Sequence, residues 1–398
     1  MFGRAPRLIL GREYHLEERA VSVDEAVLSL RDLSSHVLLA ARGDDGTAIS
    51  RVLIEQVLLQ DVPCVIFDSS GSLLDDEASL NPEFSQRVSV RRQRLGLDEA
   101  AGVFAAYVAP PDSSISWQRQ GDLLREHIAR LCSILLARLG RSSDPVHSRE
   151  HVLLAAIFES TWRAGQRISS ADLVQMINHP PLNRIGEFDM DVYLPVEERA
   201  ALALAFSELA AGPAFDANAQ WAIDAASLLQ PDRSGGGMNP AGRTRATVFD
   251  LSNLDDRDRR FFAATVMAQL LLWMRLKSGV PHLRCVVYFG DADGFDPEPL
   301  RALLRHGRAA GFGIIVHTQR IEQIDPDLPT RLGVAVLGAG VSPSAASVLG
   351  NCPAVDQEVL EERVPGLEAG SFVLCIAGGR DRPQPPLPVV FRLVDAYE

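Results

Sequence analysis

Two glycines follow an apolar run near the start of the chain, an arrangement that can present backbone N–H groups to a phosphate. The run 36–41 is HVLLAA, and Gly43 and Gly46 come directly after it. Asp68 follows roughly twenty residues later, near the spacing of an acid that binds a ribose hydroxyl in dinucleotide sites. The first glycine of the GxGxxG pattern is missing, however. We therefore favour a tight turn in which glycine supplies a positive φ, with a dinucleotide site as an alternative.

Two pairs of acids are further candidates for chemistry. Asp291 and Asp293 come after the apolar run 284–289, where they are either catalytic or turn-forming residues of a solvated loop. We favour the solvated loop. Asp44 and Asp45 lie between the two glycines and can attract a cation. Two adjacent acids without further spaced oxygen ligands do not make a calcium loop.

Two groups of arginines can bind phosphate or a partner. The first is a run that we expect to pair with the local acids Asp98 and Glu99. It comprises Arg87, Arg91, Arg92 and Arg94. The second group is spaced i, i+4 and i+7 and therefore shares one helical face, which is either solvated or part of an interface. It comprises Arg301, Arg305 and Arg308.

Composition limits the chemistry and the partners. Among 39 basic residues Lys277 is the single lysine, so any reaction that needs a lysine must use it or do without. The net charge of −13 disfavours a protein whose whole surface grips DNA phosphates, since each contact needs a cation. A local basic channel stays compatible with this charge. The sequence is therefore compatible with DNA as a partner, but the net charge does not support it.

Histidines and cysteines give no metal site. His36 and His317 flank apolar runs, where we expect structural histidines. The five cysteines are scattered without a CxxC pair, which predicts buried free thiols in a reducing compartment. No apolar stretch is long enough to span a membrane, and the first residues lack the apolar segment of an export signal. The sequence thus predicts a cytoplasmic protein without a metal.

These residues lie on an alternation of short apolar runs and helical patterns. The order strand, glycine loop, helix, strand over residues 36–67 predicts a βαβ unit and hence a parallel sheet. The alternation resumes after residue 243, whereas the intervening part has only helical periodicity. We therefore predict an α/β fold with a doubly wound, mostly parallel sheet, interrupted by an all-helical insertion. The predicted division is a short N-terminal segment 1–35, a discontinuous α/β domain 36–115 and 243–398, and the insertion 116–242.

Several segments in this order resemble the HerA/FtsK-like superfamily of P-loop ATPases, which have a RecA-like fold. The matching stretches are DLSSHVLLAARGDDGTA, VPCVIFDSSGSL, PPLNRIGEFDMDVYLPVEERAALALAFSELAAGPAF, RCVVYFGDADGF, LLRHGRAAGFGIIVHTQR and DPDLPTRLG. Together they cover most of the chain from about residue 8 to 378, and the third, from the insertion, is the most specific. The resemblance implies a nucleotide site with P-loop (Walker A) and strand-end acid (Walker B) motifs.

The implied phosphate site departs from the family pattern. In the family, backbone N–H groups cradle phosphates, a lysine reaches the β- and γ-phosphates, and a hydroxyl holds Mg²⁺. The pattern places its lysine at Thr47 and its hydroxyl residue at Ala48, and of its glycines only Gly46 is present. The neighbouring acids Asp44 and Asp45 repel a polyanion. The resemblance thus implies a degenerate Walker A motif.

The Walker B motif is incomplete as well, although other matching positions survive. The metal-ordering aspartate is replaced by Gly290, and Asp291 stands where the family has its water-polarising glutamate. Gln319 matches the phosphate-sensing glutamine, for which a strand-end cap is the plainer interpretation, and Asp68 keeps the acid after the second strand. Arg308 matches an arginine that can act across a subunit interface. Because these parts act as a unit, we expect no hydrolysis.

Three functions follow from these patterns. The first is a pseudo-ATPase without a required cofactor, acting as a structural or regulatory subunit in an assembly. Its partner is a second copy, in a ring for which the resemblance implies six members, or an active HerA/FtsK-like ATPase. The second is an active ATP- and Mg²⁺-dependent DNA translocase or helicase, and the third is a dinucleotide-binding protein.

Overall fold

The computed structural model describes residues 6–74, 82–95, 115–211, 228–231, 242–277, 279–280, 282–341, 345–378 and 386–393. The chain divides into two compact units. The first comprises residues 1–93, 228–252 and 274–398, and the second comprises residues 94–227 and 253–273. The sequence also predicts a strand over 102–108, a helix over 218–229 and a loop over 231–243. The strand, most of the helix and most of the loop lie outside the described residues.

The first unit is built on one eleven-stranded sheet. The strands in chain order are β1 (Arg7–His15), β2 (Ala20–Ser29), β3 (Val37–Ala40), β4 (Cys64–Asp68), β5 (Val88–Arg94), β8 (Thr244–Asp250), β9 (Cys285–Phe289), β10 (Phe312–Thr318), β11 (Val334–Gly338), β12 (Ser371–Ile376) and β13 (Val389–Arg392). Their order across the sheet is β2-β1-β13-β12-β11-β3-β10-β9-β4-β8-β5. A separate pair, β6 (Arg184–Ile185) and β7 (Phe188–Asp189), belongs to the second unit. Because this pair lies within the predicted insertion 116–242, the insertion is mainly helical and the prediction of an all-helical one is wrong.

The centre of the sheet is parallel. Six neighbouring strands, β11, β3, β10, β9, β4 and β8, run in the same direction. Every residue of β3, β4, β9, β10 and β11 is buried, as their continuous apolar sequences predict for strands enclosed on both faces. Because the carboxyl ends of parallel strands meet at one edge, the residues after β3, β4, β9 and β10 are brought together. The predicted α/β fold with a mostly parallel sheet is confirmed.

Four antiparallel strands extend the sheet on one side. β12 pairs with β11, β13 with β12, β1 with β13 and β2 with β1, all antiparallel. Residues 7–29 are therefore strands of the main sheet, whereas the sequence placed 1–35 in a separate segment. The burial pattern of β1 alternates only partly, since β1 is interrupted by two register shifts. This irregularity hid the strands from a search for apolar runs.

The described residues form ten α-helices. They are α1 (Gly43–Leu59), α2 (Pro82–Arg87), α3 (Trp117–Arg138), α4 (Arg149–Arg163), α5 (Ser170–Asn178), α6 (Met190–Tyr193), α7 (Val196–Ala210), α8 (Asp256–Leu276), α9 (Pro297–Ala310) and α10 (Ala346–Leu349). Helix α5 begins with a capping box, in which Ser169 and Asp172 exchange side-chain-to-backbone hydrogen bonds. Among the described residues, no helix is both long and apolar enough to cross a membrane. All five cysteines are buried free thiols, as predicted.

Candidate functional site

The connection from β3 to α1 is short. Only Ala41 and Arg42 lie between the strand and the helix, which begins at Gly43. The sequence predicts a tight loop over residues 42–46, and this prediction is wrong because the helix already begins at Gly43. Thr47 and Ala48 lie inside the helix. Acids in a first turn interact favourably with the helix dipole, and Asp44 and Asp45 occupy that turn. A P-loop instead wraps about six residues around phosphates before its helix begins, and this connection is too short to do so.

The two glycines of this segment have different roles. Gly43 has a φ of +55°, as the turn interpretation predicts. Gly46 lies in the helix without a positive φ, and a Cβ there would stand 2.7 Å from His317 Nε2 and 2.9 Å from the Ala41 oxygen. Glycine is thus required at residue 46 by the close approach of an imidazole and a carbonyl. Neither glycine needs a phosphate to explain it.

Gln319 joins the candidate site residues to one another. Its Oε1 accepts a hydrogen bond from the Gly43 backbone N–H at 3.2 Å, and its Nε2 donates to Asp291 Oδ1 at 3.1 Å. Arg42 Nε donates to the Gln319 backbone oxygen at 3.3 Å. The first free N–H group of α1, which would face a phosphate in a nucleotide site, therefore has a partner within the chain.

Gly290 is enclosed by the neighbouring strand end. Its N–H donates to the Phe67 oxygen at 2.9 Å, and its oxygen accepts from Ser69 Oγ at 2.7 Å. A Cβ at this position would lie 3.1 Å from the Phe67 oxygen and 3.3 Å from the Tyr288 ring. An aspartate here would need the Phe67 oxygen and the Tyr288 ring to shift by a few tenths of an ångström. Glycine at residue 290 therefore suits the close packing of β9 against β4.

The acids after β9 differ in surroundings. Asp291 adopts the left-handed conformation, with φ of 52°, and binds Gln319. The Asp293 side chain is only 4% exposed and forms an ion pair with Arg320, and it also accepts from Thr318 Oγ1 at 3.3 Å. The interpretation of both acids as solvated is therefore wrong for Asp293. The ion pair was missed because Arg320 follows a different strand.

Asp68 organises the turn after β4. Its Oδ1 accepts from the N–H groups of Ser70 and Gly71 at 3.1 and 3.0 Å and from Ser70 Oγ at 2.8 Å. Its Oδ2 accepts from the Leu73 N–H at 2.9 Å. Asp68 is 2% exposed. A carboxylate used in this way is not available to a ribose hydroxyl or to a metal ion.

A second buried acid lies beside Asp68. Asp250 ends the adjacent strand in register with Asp68, and Arg92 Nη1 lies 3.4 Å from one carboxylate and 3.5 Å from the other. Arg92 thus pairs with acids far along the chain, which corrects the expectation that its run pairs locally; Asp98 and Glu99 lie outside the described residues. The signal in the sequence is a repeated Phe-Asp-x-Ser, at 67–70 and 249–252. Ser252 donates to Asp250 as Ser70 does to Asp68.

Two histidines are held as structural side chains. His36 Nε2 donates to the Leu304 oxygen at 3.0 Å and its Nδ1 accepts from the Ile314 N–H at 3.3 Å. His317 contacts the Tyr288 hydroxyl at 3.1 Å through Nδ1 and the Ala41 oxygen at 3.3 Å through Nε2. Tyr288 in turn donates to Ser50 Oγ at 2.9 Å, and Ser50 donates to the Gly46 oxygen at 2.6 Å. This chain of contacts links α1 to β9 and β10.

Acid should destabilise the protein through His36. Burial lowers the pKa of His36 to about 4, so the folded state stays neutral while the unfolded state takes up a proton below about 6.5. Stability therefore falls as the pH falls from about 6.5 towards 4. Between pH 7 and 5.5 we expect a loss of about 1 kcal/mol from this group. Urea unfolding of His36→Asn should show a smaller loss than the parent, whereas His15→Asn, at an exposed position, should match the parent.

Arg308 lies apart from the other candidates. It is exposed near the end of α9, close enough to His36 to lower the pKa of that histidine, and α9 leads directly into the start of β10. Gln319 follows the other end of β10. Arg308 forms no ion pair with any described residue, whereas Arg301 pairs with Asp325 at 3.0 Å. The predicted basic face is thus partly neutralised, and Arg308 cannot reach the Gln319 site of its own chain.

The described residues do not fit ATP with Mg²⁺. The connection after β3 offers no cradle, no lysine stands at Thr47, and the acid that follows β9, Asp291, already binds Gln319. The arrangement is one in which strand-end side chains bind each other.

Solved structures with a similar fold were found, although no protein-family model and no curated protein matches the chain. VirB4 of Thermoanaerobacter pseudethanolicus has a TM-score of 0.60 at 13% identity, covering 100% of this chain and 98% of that one. The bacterial conjugative coupling protein TrwB, in an unbound form, has a TM-score of 0.58 at 13% identity, covering 92% and 86%. TrwB in complex with ADP and Mg²⁺ has a TM-score of 0.56 at 14% identity, covering 99% and 96%.

These likenesses extend over nearly the whole of each chain. At 13–14% identity they establish architecture and leave activity to be argued from the site itself. They agree with the predicted RecA-like fold. The chain has the fold shared by TrwB and VirB4.

Proposed function

We propose that the chain is a non-hydrolysing protein of the HerA/FtsK-like fold that acts as a structural or regulatory subunit of a larger assembly. The observation that carries the proposal is the bridge made by Gln319 between Gly43 and Asp291. These groups would have to face a phosphate and its metal in an active site, and here they satisfy one another. The absence of a lysine at Thr47 removes the charge that could compete with this bridge.

Nucleotide binding is the direct test. Titration of ATP with Mg²⁺ into the chain, followed by calorimetry, should show no saturable binding tighter than about 1 mM. The double variant Thr47→Lys/Ala48→Thr restores the Walker A residue types and should still not bind, because both positions lie inside α1. Binding by the double variant would show that only side chains are degenerate. Binding and turnover by the parent would refute the proposal in favour of the active translocase.

Arg308 supports a role towards a neighbouring subunit. Its guanidinium is exposed and makes no ion pair among the described residues, and it lies at the opposite end of β10 from Gln319. An arginine so placed can reach the nucleotide of an adjacent subunit and not its own. We propose that this arginine faces the active site of a partner ATPase, either within a ring or in a pair. TrwB binds ADP and Mg²⁺, which fits a partner of this fold.

A dinucleotide site is disfavoured. It requires the Asp68 carboxylate to bind a ribose, but Asp68 accepts its hydrogen bonds from Ser70, Gly71 and Leu73. The same calorimetry with NAD and NADP should give no binding, which separates this alternative from the other two.

A further inference from the structure

Helix α7 carries apolar residues on two of its sides. One side is buried through Leu202, Ala203 and Phe206. About a third of a turn away, Val196, Ala200 and Leu204, spaced i, i+4 and i+8, form a second apolar row that is exposed, with Val196 at 54% and Leu204 at 62%. The apolar stripe of a surface helix normally packs against a partner. The exposed row of α7 therefore has the composition of an interface.

Exposed apolar side chains also precede α7 along the chain. Phe188 at the start of β7 is 59% exposed and Val192 in α6 is 68% exposed. Four of the nine large exposed apolar side chains of the described residues thus lie between 188 and 204. Scattered apolar residues need no explanation, but a concentration of them marks a binding surface. We call Phe188, Val192, Val196, Ala200 and Leu204 the α7 surface.

The charge around the α7 surface is negative once ion pairs are counted. Three acids of the region are each neutralised by an arginine, in the pairs Arg184–Asp189, Arg199–Asp191 and Arg149–Glu198. Glu187 and Glu197 are exposed and have no ion pair with any described residue. Glu208, four residues after Leu204, is likewise exposed and without an ion pair in the described part of the chain, so the uncompensated charge beside the apolar row is carried by Glu187, Glu197 and Glu208.

We propose that the α7 surface binds an amphipathic helix of another protein, with an apolar row flanked by lysine or arginine. The apolar row of the partner would cover Val196, Ala200 and Leu204, and its basic residues would lie near Glu187 and Glu197. A second copy of this chain fits less well, because a two-fold contact would bring the same carboxylates together. The proposal does not depend on the nucleotide site.

Two synthetic helical peptides test the proposal. Both carry leucines at i, i+4 and i+8, and one is flanked by lysines and the other by glutamates. Fluorescence anisotropy should show saturable binding of the lysine peptide and at least tenfold weaker binding of the glutamate peptide. Leu204→Asp should weaken the lysine peptide at least tenfold. Glu187→Lys/Glu197→Lys should reverse the preference between the peptides.

The control variant changes an exposed apolar residue that lies outside the α7 surface. Val146→Asp changes a side chain of the same unit that is 77% exposed, and it should leave the affinity unchanged. Circular dichroism establishes that each variant is folded. Equal affinity for both peptides, or no binding of either, would overturn the proposal. It would equally fail if light scattering showed a dimer of the parent that Leu204→Asp dissociates, since the occupant would then be a second copy.

Discussion

Asp68→Ala is expected to lower the free energy of unfolding by about 4 kcal/mol, because it removes one member of a buried charge cluster. The substitution leaves the N–H groups of Ser70, Gly71 and Leu73 without their acceptor and changes the charge balance around Arg92. Each buried donor left without a partner adds its own desolvation penalty. Urea unfolding of parent and variant measures the difference.

An exposed acid of the same unit provides the matched control. Asp44 lies in the first turn of α1 and is exposed. Asp44→Ala should change the free energy of unfolding by no more than about 0.5 to 1 kcal/mol, the range of a helix-dipole contact. If Asp68→Ala lowered the free energy of unfolding no more than this control, the assignment of Asp68 as an organiser of the turn after β4 would be wrong. A ligand-binding role for Asp68 would then be favoured.

Gly46→Ala should be the second most costly single substitution at the site. The added methyl would lie 2.7 Å from His317 Nε2 and 2.9 Å from the Ala41 oxygen. Neither can withdraw readily, because the imidazole is held by Tyr288 and the oxygen belongs to backbone. Overpacking of this kind costs about 3 kcal/mol, and the helix preference of alanine offsets up to about 1. A net loss of about 2 kcal/mol is therefore expected in urea unfolding.

A glycine with open space around it separates the helix preference of alanine from the cost of overpacking. A Cβ at Gly121 in α3 would meet only Arg125 Nη1, at 3.7 Å. Gly121 directly follows Gln120, whose non-helical φ and ψ kink α3, so Gly121→Ala should raise stability by less than about 1 kcal/mol. A stabilising effect at Gly46 as well would mean that His317 can move away from α1, contrary to the structure.

The parallel core of the fold was readable from local patterns, whereas its extension was not. Runs such as CVVYF and VAVLG are continuous and apolar, which only an enclosed strand requires. Strands β1 and β2 mix exposed and buried residues and contain register shifts, so neither an apolar run nor a strict alternation reveals them. Their place in the sheet depends on pairing with β13, almost four hundred residues away.

The candidate site, like the fold, was predictable from the sequence only in part. Residue types alone indicated that Thr47 and Ala48 lack the chemistry of a P-loop. That Gln319 bonds both Gly43 and Asp291 depends on the alignment of three strand ends, which no local pattern contains. The Phe-Asp-x-Ser repeat was visible but became meaningful only when β4 and β8 proved to be neighbours.

A series of hydrogen-bonding contacts runs from Gly46 through Ser50, Tyr288 and His317 to Ala41. This series limits how the hydrogen atoms can be distributed among its members. A backbone carbonyl oxygen stands at each end of this series of side chains, and the series contains four contacts. The two hydroxyls and a neutral imidazole supply three hydrogens for these contacts. Burial lowers the pKa of His317 and so opposes the protonation of the ring that would supply a fourth hydrogen. One contact is therefore always a pair of acceptors, and the tautomer of the ring decides which one. Beneath α1 the heavy atoms are fixed while the protons have more than one arrangement.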